Sequence, residues 1–313
     1  MLKFINKHVF IWPLLGTLLL WVLVGIYSGS MTINQLLSCS KLATFALLLA
    51  LAQMIVVTSG NGAIDLSQIY ILTLGAYVSC NVMGYSILLS IIVAILVGAA
   101  CGFVNGCINV FLKVPAMVTT LASGYIIFTI ILVIAPHMTT LPTAKMVAFI
   151  NYNFLGISML TFISIIISII IAVILYKTNY GNNLHAVGQN RVASYYSGIP
   201  VNRTVIMAFV IGGILCGISG FLCSIFIGGA FQDMGSTYFL PSIAAAFVGG
   251  TLASGGRSNV IGVFFGALMM SFLTTFLNTT NLPPGYQRLI QGLFLIFLLV
   301  ASVSNNKVKK KKS

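Results

Sequence analysis

The chain has 313 residues, of which 59% are hydrophobic and only 5% charged. A water-soluble domain carries about a quarter charged residues, so this composition excludes a soluble globular protein and calls for a bilayer as solvent. The formal net charge of +13 does not point to nucleic acid: no basic groove interleaved with aromatics is visible, and five of the lysines, Lys307 and Lys309 to Lys312, sit together behind the last apolar run.

A bilayer span needs roughly 20 apolar residues. Ten intervals meet that requirement or come near it: 9–28, 36–58, 62–82, 86–111, 116–135, 154–176, 204–225, 240–254, 259–278 and 286–303. Lys3 and Lys7 precede the first, which reads as a span rather than a cleaved leader because it is long and no small-x-small site clearly ends it. The expected fold is an all-α integral membrane protein of about ten transmembrane helices. With the N-terminus inside, Lys3, Lys7, Lys113, Lys177, Arg191, Arg203, Arg257, Lys307 and Lys309 to Lys312 face the cytoplasm, twelve of the fifteen basic residues. Lys41, Lys145 and Arg288 are left near the outer side. This asymmetry fits the excess of Lys and Arg in cytoplasmic loops. An odd number of spans would expose the lysine-rich tail outside, so both termini are expected in the cytoplasm. Residues 1–303 then form one transmembrane domain, and 304–313 form a basic tail on anionic lipid.

Between the second and third intervals runs TSGNGAIDLS, Thr58 to Ser67. Two readings stay open. It is a tight turn with Asp65 near the next helix N-terminus, where a carboxylate is favoured. Alternatively it is broken backbone lining a polar path, which membrane proteins tolerate only beside protein or water. The second reading makes Ser59, Asn61 and Asp65, with Asn105 and Thr120, candidates for a translocation path. Gly98, Gly102 and Gly106 form a small-x-x-x-small face, expected to pack closely on another helix. Asn105 and Asn109, one turn apart, need partners in the bundle or face the path. Thr119, Thr120 and Ser123 can bond to their own helix backbone.

The polar interval from Lys177 to Thr204 stands apart. Asn190 is a helix N-cap signal and Gly198 with Pro200 a stop signal. Val192, Tyr195, Tyr196 and Ile199 fall at i, i+3, i+4 and i+7, an amphipathic stripe. About two turns of helix do not hold alone in water, so this segment is expected to lie on a surface. Further on, Gly262 and Gly266 before Pro283-Pro284 and Gln291 to Ile296 echo Gly98 to Gly106 before Val114-Pro115 and Ser123 to Phe128. Five spans per repeat would set two inverted halves, as in many transporters.

Asp65 and Asp233 are the only carboxylates, which argues against an ion relay along one span. No G-x-x-x-x-G-K-[ST] occurs, so the chain holds no P-loop for ATP. His8, His137 and His185 are scattered, and no G-x-S-x-G supports an enzyme. The six cysteines lie in or beside apolar runs without a Cys-x-x-Cys pair. They read as buried small hydrophobes, neither metal ligands nor disulfides.

Taken together, these segments resemble the permease subunit of ribose/xylose/galactose-type ABC importers. TSGNGAIDLS is similar to that family's T-x-G-G-I-D-L-S with a small insertion. GFVNG (Gly102 to Gly106), Lys113-Val114-Pro115 and Thr120-Leu121 are similar to its G-L-x-N-G, basic-V-P and T-L elements. AVGQNRVASYYSGIPVNR resembles its cytoplasmic A-x-G-x-N-E-A-A-x-x-x-G-I-x-V motif, and SIAAAFVGGTLASGGRSNVIG (Ser242 to Gly262) its glycine-rich element. The resemblance implies a homodimeric or heterodimeric channel, a separate cytoplasmic ABC ATPase and an extracytoplasmic solute-binding protein. It places the chain in a bacterial cytoplasmic membrane and the ATP and Mg on the ATPase, leaving no cofactor on this chain. Asn190, Arg191, Val192, Ala193, Tyr195, Tyr196, Gly198 and Ile199 would then form the coupling helix that docks on the ATPase. The sequence departs from the pattern at Arg191, where the motif has Glu, and at Phe239 and Pro241, where the family has acidic residues. An Arg at the start of a helix opposes the macrodipole, which points to a partner contact, expected to be an acidic ATPase residue. The implied cargo is a small, largely neutral solute. A stand-alone secondary carrier or channel is the alternative.

Overall fold

The computed structural model describes residues 10–29, 32–154, 156–280 and 282–296. Helices α1 (Ile11–Ser28), α2 (Ile33–Thr58), α3 (Gln68–Met83), α4 (Ile87–Phe111) and α5 (Ala116–Ile134) follow one another. A short helix α6 (Ala144–Asn151) leads into a small antiparallel hairpin of β1 (Asn153–Phe154) and β2 (Ile157–Ser158). Then come α7 (Met159–Lys177), α8 (Asn179–Gln189), α9 (Arg191–Tyr196), α10 (Val201–Ile227), α11 (Ser236–Val248) and α12 (Val260–Thr279). A last helix, α13, is described at 284–296. Among the described residues, α1, α2, α4, α5 with its short 3-10 extension, α7, α10 and α12 are long and apolar enough to cross a bilayer. Helices α3 and α11 are apolar but shorter, at 16 and 13 residues. Lys3, Lys7, the end of the tenth interval and the basic tail lie outside the described residues.

Three expected intervals shift for local reasons. The third does not begin at 62 but at Gln68, because Gly60, Asn61 and Gly62 all have positive φ and an Asp65 turn delays the helix. The sixth starts at Met159 rather than 154, since the hairpin turning at Gly156 (φ +81°) takes up its first residues. The eighth runs Ser236–Val248 and stops before Gly250 (φ +93°), so 249–254 are loop.

The core is built on α2 and α10. Every residue from 43 to 60 is buried. Helix α10 packs along α3 and α4, and α2 packs along α11 and α12, so each long helix is seated among helices from the other part of the chain. The glycine face of α4 does what its spacing predicts. Gly98 lies against the Gly213 main chain and Gly102 against the Phe209 carbonyl of α10, where any Cβ would overlap backbone. Gly262 and Gly266 of α12 make the same kind of approach to Gly249 and to Ala245 of α11. In lipid, close backbone approach of this sort supplies the dispersion contact that the hydrophobic effect does not. The six cysteines are free, four of them buried and Cys101 and Cys107 half-buried.

Candidate functional site

Helix α9 is six residues long and capped at both ends. Asn190 Oδ1 accepts from the Val192 and Ala193 amides, each at 3.0 Å. At the other end Gly198 (φ +79°) turns left-handed, its N–H donating to Tyr195 O (3.0 Å), while Ile199 N–H donates to Ser194 O (3.1 Å). That pair of bonds is a Schellman close. The caps hold a helix too short to persist alone. The outer face carries Val192, Tyr195 and Tyr196 at 65%, 70% and 83% exposure, with Ala193 beside them, and Ser194 faces inward. Ile199 does not belong to this face. The chain reverses at Gly198, and Ile199 packs inward on Val56, Val187, Val205 and their neighbours. Arg191 also turns inward. Its guanidinium donates to Ser59 O just after α2 (3.3 Å), and its buried Nε has no partner among the described residues. Burial lowers the Arg191 pKa from its ordinary value. Within this chain the side chain therefore meets a carbonyl, the acidic residue expected for it belonging to a separate ATPase.

Most of the polar interval is structured rather than free. Helix α8, not anticipated from sequence, buries Gly181, Leu184, Val187 and Gly188. Gly188 lies against Thr58 O and the Gly256 main chain, and Gly255 against Gly60. Gly256 N–H donates to Thr58 O at 3.0 Å. Beside this junction His185 Nε2 and Ser258 Oγ are 2.9 Å apart, and Tyr176 Oη donates to Ser258 O (3.3 Å) while accepting from Val260 N–H (3.1 Å). Three distant stretches thus meet main chain to main chain: the break after α2, the end of α8, and the 249–259 loop. Helix α9 hangs directly from that junction.

The break after α2 encloses a polar knot. Asp65 Oδ1 accepts from Ser67 N–H (2.8 Å) and Ser67 Oγ (2.6 Å), and Asn105 Nδ2 donates to the same Ser67 Oγ (2.9 Å). Leu66 N–H donates to Thr120 Oγ1 (3.0 Å). The Gln53 amide, oriented to satisfy its neighbours, accepts from Asp65 N–H at 3.3 Å and donates to Asp65 O at 3.2 Å. Asp65, Asn105 and Thr120 are all buried, and Asp65 Oδ2 and Asn105 Oδ1 lack partners among the described residues. Of the candidate path residues, then, Asp65 and Asn105 converge on Ser67, and Thr120 holds the adjoining Ile64–Leu66 backbone. Ser59 is buried beneath Arg191, and Asn61 alone is exposed. The side chains of Ser59, Asp65, Asn105 and Thr120 are buried against protein. Gln53 and Ser67 complete the knot but were missed, because sequence spacing does not show that residues on α2 and α4 meet there.

Residues 35–299 match the family described as the branched-chain amino acid transport system / permease component. The chain belongs to this permease family. The autoinducer 2 import system permease protein LsrD of Salmonella typhimurium is 28% identical over 226 residues, covering 70% of this chain and 68% of its own length. The galactose/methyl galactoside import permease protein MglC of Escherichia coli K12 is 30% identical over 219 residues, covering 67% of this chain and 65% of its own. No solved structure matches the chain.

The permease has a second break, after α10. Gly228 (φ +90°) ends α10, and Asp233 Oδ2 accepts from Ser236 Oγ at the start of α11 (2.9 Å). Gly235 lies against the Ile69 main chain near the start of α3. Between α11, α12 and α13 the permease forms a half-open cavity of about 480 Å³, with Ile69 and Ser236 in its lining. Helix α12 begins beside the α8 junction and rises 1.5 Å per residue, so the Thr274 and Asn278 wall of this cavity lies roughly 20 Å or more along its axis from α9. Phe239 and Pro241, the two departures from the expected acidic pattern, line it.

Proposed function

We infer that this permease imports a small, largely neutral, sugar-like solute with ATP hydrolysed on a separate cytoplasmic ABC ATPase, which holds the nucleotide and Mg. In this reading it pairs with a second copy or a paralogue and receives solute from an extracytoplasmic binding protein. It sits in the bacterial cytoplasmic membrane as one domain, 1–303, with ten spans, both termini inside and a basic tail at 304–313. Helices α1–α5 form one half and α7 with α10–α13 the inverted other half. The reciprocal seating of α2 and α10, and the glycine-containing break that follows each, support that symmetry. The solute class rests on the two importer relatives, whose named cargoes are galactose or methyl galactoside and autoinducer 2.

The observation that carries the reading is the outer face of α9. Val192, Tyr195 and Tyr196 stand exposed on a doubly capped helix in a polar connection, while the preceding helix α8 packs one face into the bundle. Aromatic anchors clustered on a rigid element are what a protein partner buries. Asn190 and Gly198 shape the element, Val192, Ala193, Tyr195 and Tyr196 dock, Ile199 seats it, and Arg191 ties it to the break after α2. Ser59, Asp65, Asn105 and Thr120 brace the inner end of the path and do not touch solute, while Asn61 lies on the surface.

The test is a titration of full-length permease in nanodiscs with the ABC ATPase of the same importer. Replacing Tyr195 and Tyr196 together by Ser should weaken binding about a hundredfold, the scale of two anchors of about 1–2 kcal/mol each. Unchanged affinity together with unchanged uptake would falsify the assignment.

A further inference from the structure

The cavity between α11, α12 and α13 has two unlike walls. Phe239, Leu240 and Pro241 of α11, with Ile69 of α3, make one wall apolar. The other carries Thr274 and Asn278 of α12 with Gln287 and Gln291 of α13. Gln291 is only 7% exposed, and its Nε2 donates to Thr274 Oγ1 at 3.3 Å. That bond fixes the Gln291 amide against α12 on the polar side of the cavity. Gln287 is held in place, its Nε2 donating to Leu282 O at 2.9 Å. No carboxylate lines the cavity, and its one charged side chain is Arg288. Asp233 lies just outside, bonded to Ser236.

We propose that this cavity is a solute vestibule for a neutral polyhydroxylated ring compound, which lays its apolar face on Phe239, Leu240 and Pro241 and turns its hydroxyls to Asn278, Gln287 and Gln291. Amides suit hydroxyls because each amide offers both donors and an acceptor, matching a group that is itself both. The apolar wall opposite suits the C–H face of such a ring and excludes an open, fully solvated solute. The volume of about 480 Å³ lies within the range of small-molecule pockets. The floor lies where α11 begins against the start of α3, the arrangement of discontinuous helices that transporters use to hold solute inside the bundle. This inference rests on the import reading above, and it adds a place and a chemistry that the reading lacks.

The test does not need the ATPase. Full-length permease in nanodiscs is examined by saturation-transfer NMR with D-ribose, D-galactose, glycerol and D-galactose 6-phosphate as probes. A neutral ring sugar should give transfer, strongest at the protons of one ring face, with glycerol weaker. Gln291→Leu should reduce binding about tenfold, the loss of one well-placed hydrogen bond and its desolvated partner. Asn278→Leu, at an exposed position where a fold defect is not expected, should reduce it about fivefold. Absence of transfer from both neutral sugars, transfer unchanged in both variants, or stronger transfer from the phosphorylated sugar overturns the proposal. Unchanged ATPase affinity and uptake in the separate Tyr195 and Tyr196 titration overturn the import reading and leave the NMR result standing.

Discussion

The two breaks of this permease use the same local grammar and reach opposite ends. Each follows a long central helix, each contains glycine at positive φ, and each places an aspartate two or three residues before the serine it bonds, Asp65 with Ser67 and Asp233 with Ser236. After α2 the carboxylate is sealed. Gln53 brackets its peptide, Asn105 closes over Ser67, and α8 presses Gly188 onto the backbone behind it. After α10 the carboxylate is exposed, and the neighbouring space is a cavity rather than a helix. The lesson is that the turn chemistry sets the shape of a break, and the surrounding helices decide whether it is a fixed joint or an open mouth.

That contrast can be broken most forcefully at the glycines. Gly188→Ala places a methyl into Thr58 O and Gly256 with no side chain to yield, and should cost about 3 kcal/mol or more. Gly228→Ala meets nothing within 4 Å and bears only the left-handed backbone strain, about 1–2 kcal/mol. Melting temperatures in detergent compare them, and equal losses would erase the distinction. The carboxylates give the next largest difference. Asp65→Ala strands the buried Ser67 N–H and hydroxyl and should cost about 1–3 kcal/mol. Asp233→Ala, at an exposed position, should stay within about 0.5 kcal/mol. Denaturation of both variants on one preparation decides it.

Arg191→Leu is a smaller perturbation, about 1 kcal/mol for the lost bond to Ser59. It should leave ATPase docking nearly intact, because the exposed tyrosines remain. Solute-stimulated ATP hydrolysis should fall, because α9 is no longer tied to the sealed break. If docking and stimulation fall together, Arg191 belongs to the docking face instead. The smallest effect concerns pH. Burial is the main cause holding His185 below its ordinary pKa, against a backbone hydrogen bond from Gly181 that raises it. The unfolded chain therefore takes up a proton first on acidification. Stability is full above the unfolded value of about 6.5 and declines as pH falls through it, until the lower folded value is passed. His185→Gln should flatten that slope in melting curves taken between pH 8 and 5.

Much of this was legible in the chain. Apolar length located the long helices, with shifted ends in the third, sixth and eighth intervals, and Asn190 with Gly198 bounded α9, since caps are local chemistry. The failures share a cause, which is packing between residues far apart in sequence. Helix α8 escaped notice because Gly181 and Gly188 do much of its packing, and glycine adds little to an apolar stripe. Ile199 was placed on the wrong face because the helical period was carried past Gly198, where the backbone reverses. Asp65, Asn105 and Thr120 stand out as polar groups at membrane depth, but only the fold shows Asp65 and Asn105 closing on Ser67 and Thr120 on the neighbouring Leu66 amide. Their residue types are the same in a channel lining and in a sealed knot.

The junction of Gly60, Gly188, Gly255 and Gly256 has a mechanical consequence. Side-chain contacts have slack: a rotamer can turn and absorb a displacement before anything beyond it moves. Here peptide meets peptide, as in a gear train cut without backlash. A displacement of the α8–α9 turn would meet backbone rather than a yielding rotamer at the tail of α2 and in the loop before α12, which are separate elements of the bundle. A longer side chain at any of these positions would not merely loosen the parts but change the gear ratio between them.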